Sequence, residues 1–91
     1  MKTYTLDLTP FTEAKALQSY LMKELEFPFY YGRNLDALYE ELTSWGDAVC
    51  FKLVLPAQPV GGMADYLPRL VQVFRDAANE MDGMQVEVAE A

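Results

Sequence analysis

The sequence predicts an α/β domain built in the order β-α-α-β-α-β around a parallel sheet. Three observations carry this. Short runs with strand patterning lie at 2–8, 49–55 and 84–89. The stretches between them carry apolar residues at helical spacing. Strands separated by helices need crossover connections, which set neighbouring strands parallel.

The first run, KTYTLDL, alternates, with Tyr4, Leu6 and Leu8 on one face. Pro10 then breaks the strand, and Thr12 is placed to N-cap a helix from Glu13 to Leu25. Ala14, Leu17, Leu21 and Leu25 form its buried stripe. Glu26–Arg33 contains Pro28 and Gly32 and reads as a loop. Asn34 is a good N-cap for a second helix reaching Trp45. Leu35, Leu38, Leu42 and Trp45 fall in a narrow arc of that helix and are expected to face the core.

The run VCFKLVL is β-branched and apolar, a strand expected to be buried on both faces. Pro56–Met63 reads as loop. A third helix is expected from Pro68 to Met81, with Pro68 tolerated in its first turn. Leu67, Leu70, Val71, Phe74, Ala78 and Met81 make its apolar face. Asp82-Gly83 closes it, and MQVEVA forms the last strand. There is no internal repeat, linker or low-complexity segment.

Composition bounds the function. Ninety-one residues, 52% of them hydrophobic, fit one folded domain over residues 1–91 and not a disordered tail. Seven basic and fourteen acidic residues leave a net charge of −7. That disfavours direct contact with nucleic acid, where Lys and Arg must neutralise phosphates. It suits a basic protein partner, although an acidic surface also serves plain solubility.

The lone cysteine, Cys50, excludes an internal disulfide and a multi-thiolate zinc site, and reads as an inert core residue. The absence of histidine removes the commonest general base and metal ligand. No apolar run has the length of a membrane span, and the first residues lack a signal-peptide core. The expectation is a soluble, reduced, cytoplasmic protein without cofactor, monomeric when free.

The second helix carries the most informative surface. Opposite its apolar arc lie Asp36, Tyr39, Glu40 and Thr43. Asp36 and Glu40 are four residues apart, so their like charges emerge from one stripe and repel slightly. Asp36 is favoured by the helix dipole in the first turn, whereas Glu40 is not. Of the aromatics Phe29, Tyr30 and Tyr31 in the preceding loop, two are expected near the surface. Carboxylates rimmed by aromatics suit a protein interface with a basic partner. Spacing alone favours the plainer reading, a solvated acidic face over packed aromatics.

Acid–base catalysis needs carboxylates with separated pKa values, and a divalent cation needs more oxygen ligands than two carboxylates on one exposed helix. Neither is suggested here. The Pro59-Val60-Gly61-Gly62 stretch lacks the patterns of a phosphate-binding loop and reads as a connector. Asp76 and Glu80 on the third helix would, alone, be an ordinary solvated face.

Residues 23–45, KELEFPFYYGRNLDALYEELTSW, closely resemble the defining segment of barstar-like ribonuclease inhibitors. The core of the likeness is the P-x-Y-Y-G-x-N-L-D-A-L-aromatic-acidic run from Pro28 to Glu40. LVQVFRDA at 70–77 resembles the start of that family's last helix. Element order and length agree, so the likeness spans essentially the whole chain.

The resemblance implies a three-stranded parallel sheet of order 1-2-3 with helices packed against it. It implies one-to-one inhibition of a basic, guanyl-type secreted ribonuclease, whose active site is blocked by the second helix and its loop. The contact residues it implies are Tyr30 and Gly32 in the loop, then Asn34, Leu35 and Asp36 at the helix start. Tyr39 and Glu40 follow, then Ser44, Trp45 and Gly46, with Asp76 from the last helix. A ribonuclease site must hold cationic donors for a phosphodiester, and a carboxylate on a rigid helix can accept them in its place.

Three positions depart from the family pattern. Glu40 is one methylene longer than the usual aspartate, Tyr39 replaces a tryptophan-type residue, and Asp76 is one methylene shorter than its counterpart. Such changes either retune an inhibitor toward a different ribonuclease or abolish inhibition. Arg33 opposes docking onto a basic site unless it points away. The alternatives are a module of this fold that binds another nuclease or a non-nuclease protein, and, more remotely, a carboxylate-dependent enzyme.

Overall fold

The alternation of the first segment is realised as β1, Lys2–Asp7, in a computed structural model that describes residues 1–91. It is followed by α1 (Ala14–Glu24), α2 (Leu35–Thr43), β2 (Val49–Leu55), α3 (Met63–Glu80) and β3 (Met84–Glu90). The sheet order is β1-β2-β3 and both pairs are parallel. Fold class and strand order are those expected.

Register fixes the position of the core. Tyr4 lies beside Phe51, and Phe51 beside Val86; Leu6, Leu53 and Val88 form the next row. Side chains alternate across a strand, so these rows share one face. Leu6, Val49, Phe51 and Leu53 join Leu17, Leu21, Leu38, Leu42, Leu67, Leu70 and Phe74 in one buried cluster. Phe51 meets Phe74 edge-on with ring centroids 5.3 Å apart. Each large apolar side chain buried there contributes about 1.5–3 kcal/mol.

The other face of the sheet carries no helix. Cys50, Lys52 and Val54 alternate with the core row of β2, and Lys52 is exposed. This strand is thus buried on one face, not both, because all three helices pack into a single cluster. Cys50 is buried as expected, on the second face and outside the main apolar cluster. Its thiol donates to Glu87 Oε2 at 3.3 Å. Burial and, after it, Glu87 push the thiol's pKa up, which keeps it protonated and unreactive.

Two helix starts differ from expectation. Glu13, not Thr12, occupies the N-cap of α1, and no side chain caps it. α3 begins at Met63, five residues before Pro68, which lies inside the helix. Met63 and Leu67, one helical turn apart, both enter the core. Their burial outweighs the bond that Pro68 removes. Pro68 and Ala64 are both exposed, so the carbonyl that loses its partner is on the solvent side. α2 ends at Thr43, leaving Trp45 just beyond it, half-buried against Tyr4 and Phe51. Ala77 is fully buried on α3 and belongs to its core face beside the expected residues.

Candidate functional site

The loop between α1 and α2 is shaped by what it buries. Phe27 and Tyr31 pack together, ring centroids 4.7 Å apart, and both are buried. The Tyr31 N–H donates to the Pro28 carbonyl at 2.9 Å, closing a turn. Phe29 and Tyr30 are left at its apex, 90% and 73% exposed, with rings edge-to-face at 5.6 Å. Two of the three aromatics therefore stand at the surface, as expected.

Tyr31 anchors the turn from below. Its hydroxyl donates to Gln18 Oε1, and Gln18 Nε2 donates to the Tyr66 hydroxyl at 2.7 Å. The loop is thereby tied to α1 and α3. Burial, then the nearby Tyr66 and Glu41, push the Tyr31 phenol well above its ordinary value.

The junction with α2 is equally defined. Arg33 has φ +54, a left-handed conformation uncommon for a residue with a side chain. A Cβ on Gly32 would sit 3.2 Å from both Ala37 Cβ and Asn34 Nδ2, so a larger residue there would need these side chains to shift by a few tenths of an ångström. Asn34 Oδ1 accepts the Ala37 N–H at 2.7 Å, the expected N-cap.

From that fixed start, α2 directs Asp36 and Glu40 outward, both exposed, while Leu38 and Leu42 are fully buried. Leu35 and Trp45 are only half-buried. A shallow hollow between α2 and α3 is lined by Leu35, Asp36, Tyr39, Glu40, Val73 and Asp76. Gln72 Nε2 donates to Asp76 Oδ1 at 2.8 Å and holds it in place. The Tyr39 phenol is pushed up by desolvation, then by Glu80 and Asp76. Glu80, one turn beyond Asp76 on α3, thus lies within reach of the Tyr39 hydroxyl although it does not line the hollow.

The remaining residues implied by the resemblance lie elsewhere. Ser44, Trp45 and Gly46 line a second hollow at the far end of α2, with Lys2, Tyr4 and Glu41. Gly32 and Asn34 line a third at the near end, together with Lys15, Arg33 and Arg69. Leu35 and Asp36 are shared between the near-end hollow and the central one. The residues the resemblance implies are thus spread over three hollows along α2, with Tyr30 on the loop before it. Lys15 and Arg69 were not legible as neighbours, because they reach the hollow from α1 and α3.

No group of three or more His, Cys, Asp or Glu side chains is arranged to hold a metal ion. No helix is long and apolar enough to cross a membrane.

The parallel three-stranded sheet, with a capped acidic helix and an aromatic loop on one side, defines the class: a small barstar-type α/β domain. The family model described as "Barstar (barnase inhibitor)" matches residues 1–89, and the chain belongs to this family. It is 34% identical over 83 residues to the Bacillus subtilis (strain 168) protein named "Putative ribonuclease inhibitor YrdF". The match covers 89% of this chain and 90% of that protein.

Proposed function

We propose that the chain is a proteinaceous inhibitor of a secreted guanyl-type ribonuclease, with loop 28–33 and the outer face of α2 filling the enzyme's active site in a one-to-one complex. The observation that carries this reading is the convergence of Asp36, Glu40 and Asp76 around Tyr39 in one hollow on a helix whose preceding loop exposes Phe29 and Tyr30. Family membership supports ribonuclease inhibition; the hollow supports the way it is done.

A phosphodiester-cleaving site is lined with cations that need an anion. Carboxylates on a rigid, capped helix meet them already in position, with little entropy left to lose on binding. Tyr30, Tyr39 and Trp45 add desolvated contact area. The net charge of −7 draws a basic enzyme in before contact. The chain performs no chemistry of its own, and its place is the cytoplasm of the cell that makes the nuclease.

The test is titration of the purified protein into a panel of barnase-type ribonucleases while RNA cleavage is followed. Stoichiometric loss of cleavage at one inhibitor per enzyme is expected for a cognate member. Undiminished cleavage by every member at large inhibitor excess overturns the reading.

A further inference from the structure

The near end of α2 breaks the pattern of an acidic surface. Lys15 from α1, Arg33 from the loop and Arg69 from α3 line one hollow, with Asp36 its single carboxylate. These are three of only seven cationic side chains in the chain. All three are exposed, and they come from three separate elements. Glu13 and Asp65 line the adjoining hollow that shares Arg69, so the nearby acids flank the cationic spot without filling it.

Arg33 adds a second observation. It keeps a long cationic side chain at φ +54, where glycine would sit without strain. The conformation is held from both sides, by Asn34 Nδ2 on the Gly32 carbonyl at 3.3 Å and by the α2 N-cap. The backbone is therefore fixed where the arginine side chain leaves it, and Arg33 shares the near-end hollow with Asp36.

We infer that the docking surface is dipolar, and that the Lys15–Arg33–Arg69 hollow receives an acidic side chain of the ribonuclease lying next to its cationic active site. This rests on the ribonuclease reading and deepens it, because it says which ribonucleases qualify. Against an enzyme that is basic throughout, the three cations are desolvated facing like charge, which rejects it. Against an enzyme with a carboxylate at the rim, they gain a partner. Specificity of this kind comes as much from the repulsion as from the attraction.

The experiment uses the full chain and two sets of secreted ribonucleases, one with an acidic residue on the active-site rim and one basic throughout. Wild type is compared with the triple reversal Lys15→Glu, Arg33→Glu, Arg69→Glu and with Arg33→Gly. Circular dichroism and unfolding curves establish that each is folded. The triple reversal is expected to slow association with the first set by about tenfold or more and to improve binding to the second. Arg33→Gly is expected to bind the first set less tightly while being at least as stable as wild type.

Unchanged inhibition by the triple reversal, in a pair where wild type inhibits, overturns the dipolar surface and leaves the inhibitor reading standing. No inhibition by either protein of any ribonuclease overturns both. Inorganic phosphate is titrated into the free protein as the competing occupant. Saturable shifts of the Arg33 and Arg69 signals, with ribonuclease binding indifferent to the reversal, assign the hollow to a small anion and overturn the proposal.

Discussion

Tyr31 donates its phenol proton to the side-chain carbonyl of Gln18, the one polar side chain that the core buries. Gln18 then passes a hydrogen bond to Tyr66 at 2.7 Å. Three elements meet on one amide, directly beneath the turn that presents Phe29 and Tyr30. Gln18→Leu keeps the volume and strands both hydroxyls. It is expected to destabilise the fold by about 1–3 kcal/mol, measured by urea unfolding. Faster amide exchange at Tyr31, whose N–H closes the turn, is expected to accompany it. Wild-type stability in this variant would show that the network contributes nothing.

The same network predicts an alkaline limit to stability. The Tyr31 phenol is held protonated by burial, and that of Tyr66 also by burial, partly offset by Gln18 and Arg69. An unfolded phenol ionises near 10.0. The folded values are raised, so this contribution is fully present below that pH. It is lost as pH rises further, because the unfolded chain ionises while the folded one resists. Denaturation midpoints should fall on the alkaline side of 10.0, and the fall should be shallower in Tyr31→Phe. Parallel midpoints for the two proteins would rule out Tyr31 as the source.

Local patterning carried most of the fold. Tyr4, Leu6 and Leu8 alternate as a strand must, and Asn34 caps as its side chain allows. What failed to show was decided by tertiary packing. The apolar run of β2 has no signal for a missing helix layer on the Cys50–Lys52 side. Pro68 reads as a helix start, yet Met63 and Leu67 extend the helix through it by burying a further turn. At the site, Asp36, Tyr39 and Glu40 share a helix and were legible as a group. Glu80 and the Lys15–Arg69 pair become neighbours only when separate helices are brought together.

Asn34 is expected to govern the precision of the site as well as its stability. α2 is only nine residues long, and its first turn holds Asp36. Asn34→Ala removes the acceptor of the Ala37 N–H and should destabilise the protein by about 0.5–2 kcal/mol. Asn34→Asp retains an acceptor and should recover most of that loss. Thermal unfolding of the three proteins checks this. Equal midpoints for wild type and Asn34→Ala would mean that packing alone starts the helix.

Glu40 separates binding from folding. Its carboxylate is exposed in the free protein, so Glu40→Ala should leave the unfolding midpoint unchanged. In the proposed complex the same carboxylate would face cations that have lost their water. Its removal leaves them unpaired, and affinity should fall by about 2–5 kcal/mol. The loss should lie mainly in faster dissociation, since the remaining net charge still steers the encounter. Added salt acts in the opposite way, slowing association of the wild type far more than it speeds dissociation. Surface-binding kinetics against an inhibited ribonuclease read both rates. A Glu40→Ala complex with wild-type dissociation would move the proposed phosphate-mimicking role to Asp36 or Asp76.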